Sequence, residues 1–410
     1  AFNNVSQISS FNFAALRSLI ISSKHNNIGA ALNCSLAAQT MSCELKTHDL
    51  TELVASKYWD IILHLDALHA GVSSLDVLES IRSIAVALDD RGSALGSGRL
   101  PLLCVVTQGA QGGWDGAVVS SPEHGGVWGL MRCIRLELRN VRALSIDVAS
   151  GVGAEAAARW VLEEVQRCLS DVDEAESRRG VSTDLEVVVA SSGQRFVPRL
   201  VQSAMASSAG AASPPVVRAV GTYVVTGGTG GLGLVTAKWL VERGARHIVL
   251  LSRSGRRSDG GGEDDWEYLC RCGAEVLCLR CDVSDEAAVA LALKRVRECM
   301  PPVTGVVHAA GVLDDGALRN LTRARFERVF GPKVDAAWYL HKHTLGDDLT
   351  MFVLYSSIAS VLGSAGQGNY CAANSCLDAL ALYRRGLNLC GSSIQWGPWA
   401  DVGMAVEVNH

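Results

Sequence analysis

The chain reads as an α/β protein of two doubly wound, parallel-sheet halves. Three observations predict this. Short apolar runs alternate with amphipathic helical patterns, the order that lays helices on a parallel sheet. Residues 201–219 (VQSAMASSAGAASPPVVRA) are poor in charge and rich in Ala, Ser and Pro, and this linker divides the 410 residues into parts of similar size. The composition, 48% hydrophobic and 19% charged, is that of a protein with a sizeable core.

In the first half, residues 1–200, WDIILHL (59–65), LPLLCVVT (100–107), RALSIDV (142–148) and LEVVVA (185–190) read as buried strands. Helical patterns run from Val127 to Leu138 and from Ala154 to Leu169. No strand is evident before Trp59. Gly109, Gly112 and Gly113 follow a strand but lack phosphate-loop spacing, and Trp114 and Asp115 interrupt the approach to a helix. A Rossmann-like module without a cofactor is the expectation. The chain begins Ala1-Phe2-Asn3-Asn4, without an initiator Met or a signal-like region, and reads as a piece of a longer polypeptide.

The second half, residues 220–410, repeats the alternation with one element added. The strand TYVVT (222–226) runs into GGTGGLG (227–233) and then a helix through Arg243. HIVLLS (247–252), EVLCLRC (275–281), TGVVHAA (304–310), TMFVLYS (350–356) and SSIQWG (392–397) follow as strands. In such a doubly wound sheet, ligands sit outside the carboxyl ends of the strands.

Composition excludes several functions. The net charge is −5 with a pI near 6.1, too acidic for a binder of phosphate backbones, so no nucleic-acid partner is expected. Mean hydropathy is +0.20, yet the richest run, Leu349 to Leu362, is broken by Thr350, Ser356, Ser357 and Ser360. No membrane insertion is expected, and a soluble, intracellular protein, cytoplasmic in the first instance, follows. Thirteen scattered cysteines suit a reducing compartment. Cys270, Cys272, Cys278 and Cys281 include a CxxC, but positions i and i+3 of a strand face opposite ways, so buried thiols are expected and no metal.

Gly228, Gly230 and Gly233 fit GxGxxG, and Gly227, Gly231 and Gly233 fit TGxxxGxG. With a strand before and a helix after, this is a dinucleotide loop, its helix N-terminus facing a pyrophosphate. Thr226, Thr229 and Leu232 complete the loop. The second strand ends Ser252-Arg253-Ser254, with Arg256 and Arg257 beyond and no acid before Asp259. A basic residue there accommodates a 2′-phosphate, which favours NADPH. Asp282-Val283 follows the third strand; Asp282 would bind adenine or cap the next helix. His308 reads as a packed histidine. Ala309, Ala310 and Gly311 let the backbone run beside the cofactor.

The chemistry lies in LYSSIASVLGSAGQGNYCAANS (354–375), where a strand delivers Ser356 and Ser357 to its end and a helix opens near Asn369. Tyr370 and Asn374 share a helix face. These residues resemble short-chain dehydrogenase/reductases, which place Lys four residues after the Tyr; here that position holds Asn374. The chain more closely resembles the ketoreductase domain of type I polyketide synthases, with fatty acid synthase a nearer cousin than free-standing reductases. In that family Lys and Asn exchange places, and the matching Lys, 37 residues before the Tyr, is Lys333; the matching Ser, 13 before, is Ser357. The first half resembles the family's structural subdomain, marked by SPEHGGVWGLMRCIRLEL (121–138) and RFVPRL (195–200).

The resemblance implies an NADPH-dependent reductase of β-ketoacyl thioesters carried on the phosphopantetheine arm of an acyl carrier protein, with other synthase domains in the same polypeptide. Tyr370 would donate the proton, Lys333 would lower its pKa and hold the nicotinamide ribose, Ser357 would hold the carbonyl oxygen, and Asn374 would support Lys333 or a water relay. Gly397 and Pro398 would border the cofactor. Leu313-Asp314-Asp315 resembles the motif of B-type enzymes, which yield the R (D) 3-hydroxyl. The A-type Trp is replaced by Leu362, and the Pro of epimerising B-types by Ala372. A second LDD at 88–90 is read as coincidence. The family continues past WGPWADVGMA (396–405) with a lid helix and a final strand, which implies a truncated fragment. Alternatives are a catalytically silent ketoreductase fold acting as a scaffold and a fatty acid synthase-type ketoreductase.

Overall fold

The computed structural model describes residues 17–22, 28, 31–32, 40–43, 51–54, 59–68, 72–95, 100–113, 116–175, 184–202, 217–256 and 262–399. Ala1 to Asn4, Trp114, Asp115, linker residues 203–216, Arg257, Asp259 and everything from residue 400 lie outside the described residues. The described chain forms two parallel sheets, each in its own compact unit.

The first sheet contains β1 (Ser18–Ile21), β2 (Thr40–Cys43), β3 (Ile61–His64), β4 (Leu102–Gln108), β5 (Arg142–Val148), β6 (Glu186–Val189) and β7 (Arg195–Phe196), in the order β2-β1-β3-β4-β5-β6-β7. Only β7 runs antiparallel to its neighbour. Helices α1 (Ser74–Leu95), α2 (Gly126–Glu137) and α3 (Ala154–Ala175) alternate with the later strands. Two strands precede Trp59, against expectation. β1 is wholly buried between β2 and β3. Its four residues, SLII, are too few to show a period, and TMSC of β2 has no apolar alternation. The LDD at 88–90 lies inside α1, where Asp89 and Asp90 hold Arg319.

At the carboxyl end of β5, Asp147 is fully buried. Its carboxylate accepts from Thr107 Oγ1 at 2.6 Å and from the N–H groups of Ala110 and Gln111 at 3.0 and 3.2 Å. The turn after β4 thus gives its N–H groups to an internal anion. Burial pushes the Asp147 carboxyl up to about 6, against these hydrogen bonds. This unit also takes in Gly316–Arg323 and Gly363–Gly368. Glu137 accepts from the N–H groups of Leu318 and Gly366, both at 2.8 Å.

The second sheet contains β8 (Thr222–Thr226), β9 (His247–Ser252), β10 (Glu275–Arg280), β11 (Val303–His308), β12 (Met351–Ser357) and β13 (Ser392–Trp396). All pairs are parallel, in the order β10-β9-β8-β11-β12-β13. The order reverses between β8 and β11, which sets the ligand crevice at the carboxyl ends of these two strands. Side chains alternate between two cores. Val224, Val249, Leu251 and Val306 pack on one face, and Tyr223, Val225, Leu250 and Val307 on the other. Cys281 joins the first core and Cys278 packs against the second, the opposite faces expected of the CxxC. Cys270, however, is exposed rather than buried, because its helix turns that position to solvent.

Helices of this unit are α4 (Gly231–Glu242), α5 (Glu263–Arg271), α6 (Glu286–Cys299), α7 (Arg323–Phe330), α8 (Ala336–His343), the single turn α9 (Ala359–Leu362) and α10 (Gly368–Gly386). Between α7 and α8, Gly331–Asp335 forms a π-turn. Pro332 has no N–H to continue the α-helical ladder, and the widened turn redirects Lys333. Among the described residues no helix is long and apolar enough to cross a membrane, and no group of three metal-ligating side chains is gathered.

Candidate active site

Ser357, Tyr370, Lys333 and Asn374 converge at the carboxyl end of β12. Ser357 is its last residue, Tyr370 and Asn374 project from α10, and Lys333 comes from the π-turn. Lys333 is 3% exposed. Its Nζ donates to Asn374 Oδ1 at 2.8 Å and to the Tyr355 carbonyl at 2.9 Å, and lies 5.3 Å from the Tyr370 ring centroid. Asn374 Nδ2 donates to the Tyr370 carbonyl at 2.9 Å, so this one amide ties the Lys to the helix of the Tyr. Two of the three ammonium hydrogens are engaged and one is left for a ligand.

Burial pushes the Tyr370 phenol above its ordinary value, and hydrogen bonds with Asn374 and Ser357 oppose this only in part. Burial pushes Lys333 down to about 7, with the Asp378 carboxylate pulling the other way. Burial thus outweighs the hydrogen bonds at the phenol, and at Lys333 it outweighs the Asp378 charge.

Asp378 was not apparent from the motif. It stands four residues past Asn374 on α10, and its two oxygens accept from Ser360 at 2.6 Å and Ser393 at 2.5 Å. Ser360 Oγ also lies 2.8 Å from the Ser357 carbonyl, which shares the reach of its single hydrogen with the carboxylate. The carboxylate thereby joins the Ser357 turn, α10 and β13. The repeat Tyr370, Asn374, Asp378 at four-residue spacing was the available signal.

The glycine loop lies at the end of β8. Gly227 is left-handed at φ 62°, and an added Cβ would stand 3.0 Å from the Ala310 backbone. Cβ atoms on Gly228 and Gly233 would meet backbone atoms at 2.7 Å and 2.3 Å. These glycines serve the turn's own packing. Gly230 does not: its nearest neighbour would be 3.4 Å away. It caps α4 without a side-chain hydrogen bond, leaving first-turn N–H groups uncapped by a side chain, beside open space. That space beside backbone donors fits a pyrophosphate. Thr226 and Thr229 are buried. Gly231 and Leu232 open α4, and Leu232's carbonyl accepts from Thr236.

Thr226, His308 and Lys333 form a buried chain. His308 Nε2 lies 2.9 Å from the Lys333 carbonyl and must donate to it, so Nδ1 accepts from the Thr226 hydroxyl at 2.7 Å. Burial and the Lys333 charge hold the imidazole near 3, hence neutral. Ala309 and Ala310 continue beyond. At Gly311 a Cβ would stand 3.0 Å from Lys333 Cε, so this glycine gives the Lys its path.

Ser252 ends β9, and Arg253 and Ser254 follow it. Arg253 and Arg256 are exposed, and Arg280 of β10, exposed as well, pairs in register with Ser252. Arg280 is a third cation at this sheet end that the sequence reading did not single out, although it ends a strand one residue before Cys281. Asp282 is exposed and accepts from Ser284 N at 3.0 Å; the helix cap is Asp285, which accepts from Ala287 N, and Val283 is buried in the core. Asp282 therefore does not cap α6. Gly397 and Pro398 follow β13, both exposed. Leu313 is half-buried, and the Asp314 carboxylate is clamped by Arg325 at 2.8 Å and Arg328 at 2.7 Å.

The family model described as "KR domain" matches residues 221–401. A phenolphthiocerol synthesis polyketide synthase type I of Mycobacterium marinum is 50% identical over 190 residues, 46% of this chain and 9% of that one. A Mycobacterium tuberculosis relative named as a putative inactive synthase of the same kind is 50% identical over 184 residues, 45% of this chain and 11% of its own. The chain thus spans about a tenth of these relatives' length. A solved A1-type ketoreductase is similar at TM-score 0.81 and 33% identity, covering 96% of this chain and 81% of that one. Ketoreductase domains of polyketide synthases are nicotinamide-dinucleotide-dependent oxidoreductases. On the family match, the shared fold and the convergence at β12, the chain belongs to the ketoreductase domains of polyketide synthases.

Proposed function

We propose that the chain reduces the 3-keto group of a β-ketoacyl thioester, carried by an acyl carrier protein, to the R (D) 3-hydroxyacyl thioester with NADPH. The observation that carries this reading is the Lys333–Asn374–Tyr370 assembly beside Ser357. When bound, the cofactor supplies hydride to the carbonyl carbon. The chain's residues manage the oxygen. The Ser357 hydroxyl holds it, and the Tyr370 phenol gives it a proton as negative charge develops. The Lys333 ammonium steadies the phenolate left behind, and Asn374 keeps Lys333 in reach. The loop and helix N-terminus at Gly227–Gly233 would hold the pyrophosphate, and Arg253 the 2′-phosphate, with Arg256 and Arg280 beside it.

Leu313–Asp315 supports the R product, since the loop lies next to Gly311 in the chain and Leu362 replaces the A-type Trp. Carrier protein, sister synthase domains and an intracellular setting belong to the same reading. The test is NADPH oxidation with a simple β-ketoacyl thioester, followed by chiral chromatography. Turnover with R product is expected. Predominantly S product would remove the stereochemical part, and no turnover with NADPH bound would favour the silent scaffold; one relative is itself named a putative inactive synthase.

A further inference from the structure

Asn369, next to Tyr370, is fully buried, yet it is a polar amide that contributes nothing to an apolar core. Its hydrogen bonds account for its burial. Oδ1 accepts from the Tyr370 N–H at 2.8 Å, satisfying a first-turn donor of α10. The two Nδ2 hydrogens are spent on the Asp314 carbonyl at 2.8 Å and the Arg325 carbonyl at 3.2 Å. One side chain therefore joins three backbones: the catalytic helix at Tyr370, the Leu313–Asp315 loop, and α7, which runs on into the turn of Lys333.

The far side of the loop is also held. Arg325 and Arg328 grip the Asp314 carboxylate, and Arg325 donates to the Asp315 carbonyl. Arg325 therefore clamps the loop with its guanidinium while its own carbonyl accepts from Asn369. The ion pairs fix the loop to α7, and the amide fixes both to α10. Without the amide, the loop still follows α7, and Gly316 after it keeps its N–H bond to the Gly366 carbonyl at 2.7 Å, but the tie from Asp314 to the residue beside Tyr370 is lost.

We infer that Asn369 is a positioning residue that registers the Leu313–Asp315 loop against Tyr370 and thereby sets which face of the ketone is reduced. This rests on the reductase reading above. It makes Asn369 neither a proton donor nor a cofactor contact. An Asp in its place is isosteric but presents a carboxylate to two carbonyl oxygens, so it breaks the same link by repulsion.

The experiment compares the parent chain with Asn369→Ala, Asn369→Asp and the milder Asn369→Ser, which keeps one donor and one acceptor. Three quantities are read: NADPH Kd, the R:S product ratio with a β-ketoacyl thioester, and amide hydrogen exchange across 312–317. The Ala and Asp variants are expected to bind NADPH within about twofold of the parent, lower the R:S ratio about tenfold, and exchange faster at 312–317 but not at 222–226. Asn369→Ser falls between, and it carries the test if the others do not fold. A general loss of packing would lower kcat and speed exchange everywhere without altering the product ratio. An R:S ratio unchanged in a folded variant overturns the inference. If the parent does not turn over, the function proposal fails separately, and exchange at 312–317 unchanged by the substitution overturns this one alone.

Discussion

Gly230→Ala and Gly233→Ala form a matched pair that separates a glycine kept for folding from one kept for a ligand. On Gly233 a methyl would stand 2.3 Å from the Gly227 carbonyl oxygen and 2.6 Å from Gly228 Cα, so the turn must open. Overpacking of that kind costs about 1–3 kcal/mol. On Gly230 the nearest atom is at 3.4 Å, and φ −86° with ψ 168° is open to alanine. There the stiffer unfolded chain stabilises the fold by about 0.4–1 kcal/mol. The methyl fills the space from which a pyrophosphate would reach the N–H groups of α4. Losing one charge-assisted hydrogen bond costs about 1.5–3 kcal/mol, a 10- to 150-fold rise in Kd. Thermal melts and fluorescence titration with NADPH read both effects. Gly230→Ala should melt at or above the parent and bind NADPH at least about tenfold more weakly. A Gly230→Ala variant with the parent's Kd would refute the assignment of that space to the pyrophosphate.

Replacing Arg253 with Ala should weaken NADPH by about 1.5–3 kcal/mol and leave NADH nearly unaffected in parallel titrations; equal losses would place Arg253 away from the 2′-phosphate. Burial pushes Lys333 down to about 7, and in the proposed mechanism its ammonium is the competent form, so kcat/KM should fall as pH rises through about 7. Asp378→Asn removes an attraction for that ammonium and should move the limb to lower pH; a flat profile to pH 9 would contradict this. Asp147 has a folded pKa of about 6 against an ordinary 3.8, so its contribution to stability is held below pH 3.8 and lost as pH rises through 6. The gap corresponds to about 3 kcal/mol at pH 7, and denaturation of the parent against Asp147→Asn between pH 4 and 7 should show it; parallel curves would refute it.

Both sheets were legible in the sequence because their central strands are buried on both faces and read as continuous apolar runs, as in TYVVT and HIVLLS. β1 and β2 were not, because four residues carry no period. The junction at 200 is visible as composition, but the packing of Gly316–Arg323 and Gly363–Gly368 with the first unit is not, since it depends on Glu137 accepting from two distant N–H groups. Of the site, the spacing that brings Lys333 to Asn374 was readable through resemblance. Its π-turn was not, although Gly331-Pro332 marks the place. The upward direction of the Tyr370 shift was not legible, because motif chemistry names neighbouring groups and not the burial that pushes the phenol up. Asp378 and Asn369 carry no motif of their own, and only their partners reveal them.

The most direct measurement is single-turnover reduction of a β-ketoacyl thioester with NADPH by the parent chain and by Tyr370→Phe, with NADPH Kd determined for both. In the proposed mechanism the phenol is the proton donor, so the parent should form 3-hydroxyacyl product in step with NADPH loss. The Phe variant should be slower by about 10²- to 10⁴-fold at nearly unchanged Kd. A Phe variant that keeps more than about half of the parent's rate would contradict the assignment of Tyr370 as the acid.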